Sequence, residues 1–136
     1  MYELFEHTAD LGLRVRAPDL DTLFREAAEG FFSLLVEGGP PCSGAREFRF
    51  ELEAARHDDL LFDWLNELLY TFDTTGCLLG AFEVRVRERR LEATARGAPP
   101  RPAERGTLRE VKAITYHGLK IEPGEGGWLA EVIVDI

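Results

Sequence analysis

Two hydrophobic rhythms alternate along the 136-residue chain. Residues 2–6 and 11–17 follow a period of two, the second setting Leu11, Leu13 and Val15 against Gly12, Arg14 and Arg16, and they predict two strands. Pro18 and Asp19 break that pattern. Leu20, Leu23, Phe24, Ala27, Ala28, Phe31, Leu34 and Leu35 then recur at the 3.6-residue spacing of a helix with one buried face. Asp19 or Asp21 is placed to cap it, and Gly38-Gly39-Pro40-Pro41 to stop it. Residues 46–54 return to alternation, with Phe48, Phe50 and Leu52 on one face. A second helix follows, capped by Asp58 or Asp59 and ending before Thr74-Thr75-Gly76. Its inner stripe is Leu61, Trp64, Leu65, Leu68, Leu69 and Phe72, with Asp63, Asn66, Glu67 and Thr71 outward.

Beyond Cys77, Phe82, Val84 and Val86 and then Leu91, Ala93 and Ala95 alternate with polar residues, which predicts a hairpin turning at Arg89-Arg90. Residues 97–106, rich in Pro and Arg, read as a loop. Residues 108–122 and 128–135 read as two long strands joined by the glycine-rich run Pro123 to Gly127, with a bulge at Gly118. The last strand is apolar on both faces and should be central. The order ββαβαββββ gives an α+β fold, two helices packed on a mainly antiparallel sheet, in one domain over residues 1–136.

Composition narrows the function. Sixteen Lys and Arg against 25 Asp and Glu leave a net charge of −9, the wrong sign for a duplex-DNA binder, so little or no direct nucleic-acid binding is expected. No apolar run approaches the roughly 18 to 20 residues of a membrane span, and the N-terminus lacks a signal-peptide pattern. A soluble, cytoplasmic protein is expected. Cys42 and Cys77 match neither a zinc-site spacing nor a disulfide scaffold and read as free thiols.

The candidate chemistry lies at the two ends of the chain. His7-Thr8-Ala9-Asp10 connects the first two strands, where its residues are by themselves ordinary turn and cap formers. The sequence stops at Val134-Asp135-Ile136, so a central strand ends in a side-chain carboxylate followed by an α-carboxylate. Together with Asp10 these would repel one another unless a cation neutralises them. An all-oxygen set suits Ca²⁺ or Mg²⁺, and His7 or His117 nearby leaves Mn²⁺ or Zn²⁺ open. Lys112, one of two lysines, lies between Val111 and Ala113, either reaching solvent or placed among the carboxylates or against a partner's phosphate. Arg85, Arg87 and Arg89 read as a solvated strand face, with a partner-binding patch second.

Four separated blocks resemble the archease family across nearly the whole chain: Phe5-Glu6-His7-Thr8-Ala9-Asp10-Leu11-Gly12, residues 60–70, Val111-Lys112-Ala113-Ile114-Thr115-Tyr116-His117 and Val132-Ile133-Val134-Asp135-Ile136. The resemblance implies the small α+β fold called SHS2-like. It also implies a non-catalytic activator of the RtcB-type RNA ligase of tRNA splicing, one that promotes guanylylation of the ligase, restores multiple turnover and broadens its nucleotide use. A metal site falls on Asp10, Asp135 and Ile136, with Ca²⁺ the leading ion and Lys112 a further functional position. His7 is expected beside the metal, not on it. Two other readings stand against this one: a metal-dependent hydrolase using His7, Asp10 and His117, and a general chaperone or modulator of RNA-modifying enzymes.

Overall fold

A computed structural model describes residues 1–7, 10–36, 46–102 and 106–136, with His7 placed by its backbone. The described chain forms β1 (Tyr2–His7), β2 (Asp10–Ala17), α1 (Leu20–Leu35), β3 (Arg46–Glu53), α2 (His57–Thr75), β4 (Leu78–Arg87), β5 (Arg90–Ala98), β6 (Ala113–Gly124) and β7 (Gly127–Asp135). This is the order that the hydrophobic pattern predicts. The strands divide, however, into two antiparallel sheets: four strands in the order β1-β2-β7-β6 and three in the order β3-β5-β4. As its apolar faces require, β7 is central, between β2 and β6.

The division explains where burial departs from the one-face expectation. α1 packs on β2 of one sheet and β4 of the other, and α2 packs on β6 and β3. A helix held between two sheets is buried on more than one side, so Gly30 and Phe32 join the predicted stripe in the interior. Thr71 of α2, expected outside, is buried as well, and its hydroxyl donates to the Glu67 carbonyl at 2.8 Å, so no donor is stranded. Trp64 closes the centre. Fully buried, it meets Phe50 and Phe82 edge to face at 5.2 and 6.2 Å, and its indole N–H donates to the Phe24 carbonyl of α1 at 3.0 Å.

Helix starts and turns follow local chemistry. Asp19 caps α1, its carboxylate accepting the Thr22 N–H at 2.8 Å. α2 starts without such a bond: Arg56 occupies the cap position, and Asp58 and Asp59 fall inside the first turn, where negative charge favours the helix dipole. The β4–β5 turn is Glu88-Arg89, one residue earlier than expected. The segment expected as the start of a strand at 108 instead bridges: Leu108 pairs with Val36, the Arg109 amide donates to Leu35, and β6 begins at Ala113. Gly118 does mark a bulge. The β6–β7 register shifts between Thr115 and Lys120, and Gly118 has φ +77°, a conformation that favours glycine. The expected loop at 97–106 begins only after Ala98. The Gly38–Pro41 stop, Cys42, Thr8, Ala9 and part of that loop lie outside the described residues, and Cys77 is a buried free thiol.

Candidate functional site

Antiparallel pairing alone brings the two chain ends together. His7 of β1 pairs with Asp10 of β2. β2 pairs with β7 with Leu11 opposite Val134, so one rung further along Asp10 stands beside Asp135. Asp135 in turn pairs with Ala113 of β6, and its carbonyl accepts the Lys112 amide at 2.8 Å. His7, Asp10, Asp135 and Ala113 therefore form one row across all four strands at a single end of the sheet.

Side-chain alternation sets the face of that row. Leu13, Val15, Val132 and Val134 point to the core, so Asp10 and Asp135 share the parity of Gly12 and Ile133 on the face away from the helices. The next rung inward is Phe5–Gly12–Ile133–Thr115. There the Phe5 ring lies over Gly12, occupying the space a Cβ would need, and Ile133 is buried although it is on the outer face. This apolar floor screens one side of the acidic row from water, which strengthens any charge interaction at the row. The sequence carried a signal for it in an aromatic and a glycine at facing positions of one hairpin.

Further along the same face, charges are neutralised in pairs. Arg14 bridges Glu3 at 3.1 Å and Glu131 at 3.2 Å and stacks its guanidinium over Phe5 at 4.7 Å. Lys120 reaches Glu131 at 3.2 Å. The hydrogen bond from Arg14 holds the Glu3 carboxyl below its ordinary pKa. Burial pushes Glu131 up, but the hydrogen bonds from Lys120 and Arg14 outweigh it and leave that group lowered too. The end row differs. Among the described residues no ion pair neutralises Asp10 or Asp135, both half-buried.

The remaining candidates are spread around this end. Ile136 is half-buried with its side chain against the core, one residue past Asp135. The Lys112 side chain is exposed, and the residue precedes β6 where the sequence placed it inside a strand. His117 is exposed in the bulged part of β6, four residues beyond Ala113, so the row does not include the second histidine that a hydrolase would need. Among the described residues no three His, Cys, Asp or Glu groups cluster as a metal site. Two aspartates alone do not satisfy the six to eight oxygens that Ca²⁺ takes, but they are donors of the right hardness.

These features define a small α+β domain, two helices between antiparallel sheets, with an acidic row at the end of the larger sheet that no ion pair among the described residues neutralises. The chain belongs to the archease family. It matches the model of the archease protein family (MTH1598/TM1083) over residues 2–136. The archease of Methanopyrus kandleri is 35% identical over 139 residues, spanning 99% of both chains, and that of Pyrococcus furiosus is 34% identical over 140 residues, spanning 99% of this chain and 98% of its own. The solution structure of protein 1598 of Methanobacterium thermoautotrophicum superposes with a TM-score of 0.82 at 31% identity, covering 99% of this chain and 98% of that one. The crystal structure of a Thermotoga maritima protein described as an archease, possible chaperone, has a TM-score of 0.70 at 21% identity over 100% of this chain and 98% of its own, and supports the fold. No helix among the described residues is long and apolar enough to cross a membrane.

Proposed function

We propose that this chain is an accessory protein that activates an RtcB-type RNA ligase, promoting guanylylation of the ligase and its multiple turnover in tRNA splicing, in the cytoplasm. The observation that carries the reading is the row that sets Asp10 beside Asp135 with no ion pair to neutralise either among the described residues. Like charges on one rung of a half-buried sheet end are costly unless something positive is bound there. Asp10, Asp135 and the α-carboxylate of Ile136 would hold a divalent cation, Ca²⁺ before Mg²⁺, Mn²⁺ or Zn²⁺, with water or partner groups completing its shell. Such an ion would supply a fixed positive charge toward an anionic group of the ligase or its nucleotide. Lys112, anchored through its backbone to Asp135, adds a mobile ammonium at the same end. His7, paired with Asp10 through the backbone, would serve as an orienting or partner-facing group.

The test is the rate of ligase guanylylation by GTP, and the number of turnovers, with and without substoichiometric amounts of this protein. Acceleration by catalytic amounts is expected; no change in either quantity would refute the reading. Extending the chain by one residue after Ile136 should weaken Ca²⁺ binding, and an unchanged affinity would remove the terminal carboxylate from the site.

A further inference from the structure

α2 presents a surface that neither the fold nor the acidic row explains. Its 19 residues carry five carboxylates, Asp58, Asp59, Asp63, Glu67 and Asp73, and no Lys or Arg. Positions 59, 63, 66, 70 and 73 recur at spacings of four and three, so they share one face about 21 Å long at a rise of about 1.5 Å per residue. On that face Tyr70 is 63% exposed, its ring presented to solvent between Asn66 and Asp73. Asp73 lies in the last turn, where the helix dipole disfavours negative charge and no basic residue offsets it.

The N-terminal half of the face continues onto the edge strand β6. Tyr116, 48% exposed, meets Phe62 edge to face at 5.1 Å and donates its hydroxyl to Asp59 at 2.6 Å. Burial and the neighbouring Asp59 raise the Asp63 pKa, the sign of a carboxylate short of cationic partners. Tyr116 is three residues from Ala113, about 10 Å along the strand. The face therefore leads to the end of the sheet that holds Asp10 and Asp135.

We infer that the stripe Asp59–Asp63–Asn66–Tyr70–Asp73, with Phe62 and Tyr116 at its head, is the surface by which this protein docks on an Arg- and Lys-rich protein face. Charge complementarity selects that occupant. Carboxylates repel the phosphates of RNA and of anionic lipid, while an enzyme that handles RNA must itself carry a basic surface. Exposed tyrosines flanked by carboxylates are the residue types that anchor guanidinium groups. The inference rests on the accessory reading above and takes the ligase as the partner. Docked there, the ligase lies over the edge of β6 and reaches the acidic row.

The experiment measures the affinity of the full chain for purified RtcB-type ligase at low and high salt, alongside guanylylation. Two variants are used, Asp63→Lys/Asp73→Lys and Tyr70→Ala, all at exposed positions. Each should weaken binding by about tenfold or more, the first also losing its salt dependence, and both should restore full stimulation at saturating concentration because the acidic row is intact. Neither variant nor parent should bind single-stranded or duplex RNA. Variants that bind the ligase as tightly as the parent overturn the docking surface while leaving the accessory reading in place. RNA bound through this helix overturns it as well. A parent chain that neither binds nor stimulates the ligase overturns both.

Discussion

The two sheets treat charge in opposite ways. On the outer face of β3-β5-β4 the register sets Glu53 beside Arg90 and Arg90 beside Arg87, then Glu51 beside Glu92 and Glu92 beside Arg85. Arg90 reaches Glu51 at 3.9 Å and Glu92 at 3.7 Å, and Arg87 reaches Asp21 of α1 at 3.2 Å. This lattice is nearly balanced and fully wet. Exposed pairs of this kind add solubility and little stability. The four-stranded sheet is paired in its middle, through Arg14 and Lys120, and at its end, where Asp10 stands beside Asp135, it has no ion pair among the described residues. The number of charges on a face thus says less about function than whether each one has a partner.

That contrast can be broken at several points. The largest effect should come from Trp64→Ala, because Trp64 ties the three-stranded sheet to α1. A loss of about 3–5 kcal/mol is expected in chemical denaturation, and below the transition Ca²⁺ affinity should be unchanged if the acidic row depends only on the other sheet. Gly12→Ala comes next. The new Cβ would take the place of the Phe5 ring, and displacing a packed ring costs about 1–3 kcal/mol. Here, unlike Trp64→Ala, cation binding should also weaken, since the floor of the row is disturbed.

A carboxylate with a structural partner gives the control for Asp10 and Asp135. Asp19→Ala should cost about 1 kcal/mol as a lost helix cap. The Thr22 N–H lowers the Asp19 pKa, so this contribution is complete above the ordinary Asp value and disappears as pH falls through the lowered folded value. The parent and the variant should therefore converge in acid. The smallest effect belongs to the balanced lattice: Arg85→Ala should change stability by less than about 0.5 kcal/mol and leave ligase stimulation unchanged. A large loss of stimulation there would move the functional surface to the wrong sheet.

Much of this fold is written in local rhythm. Element order, the central place of β7, the Gly118 bulge and the Asp19 cap all follow from spacing and residue type. Period two identifies a strand but not its neighbour, so the split into two sheets was not legible, and with it went the burial of Gly30, Phe32 and Thr71. The apolar residues Leu108 and Val111 suggested a longer β6 because both are partly or fully buried without being in the ladder. As for the site, the two chain ends were legible as candidates, and the register sets His7, Asp10 and Asp135 in one row. Lys112, which the apolar alternation places in a strand, lies just before β6. The Phe5–Gly12 floor has a local signal in the facing aromatic and glycine, and the outward carboxylates of α2 follow from helical spacing, but the junction of that helix face with Tyr116 of β6 is a tertiary property.

The central claim is that Asp10 and Asp135 act on a partner and not on the fold. It is tested most directly by ligase guanylylation rates with Asp10→Ala and Asp135→Ala, each measured beside its melting temperature. Both variants are expected to melt no lower than the parent and to fail to accelerate guanylylation. Acceleration equal to the parent's by both variants would contradict it.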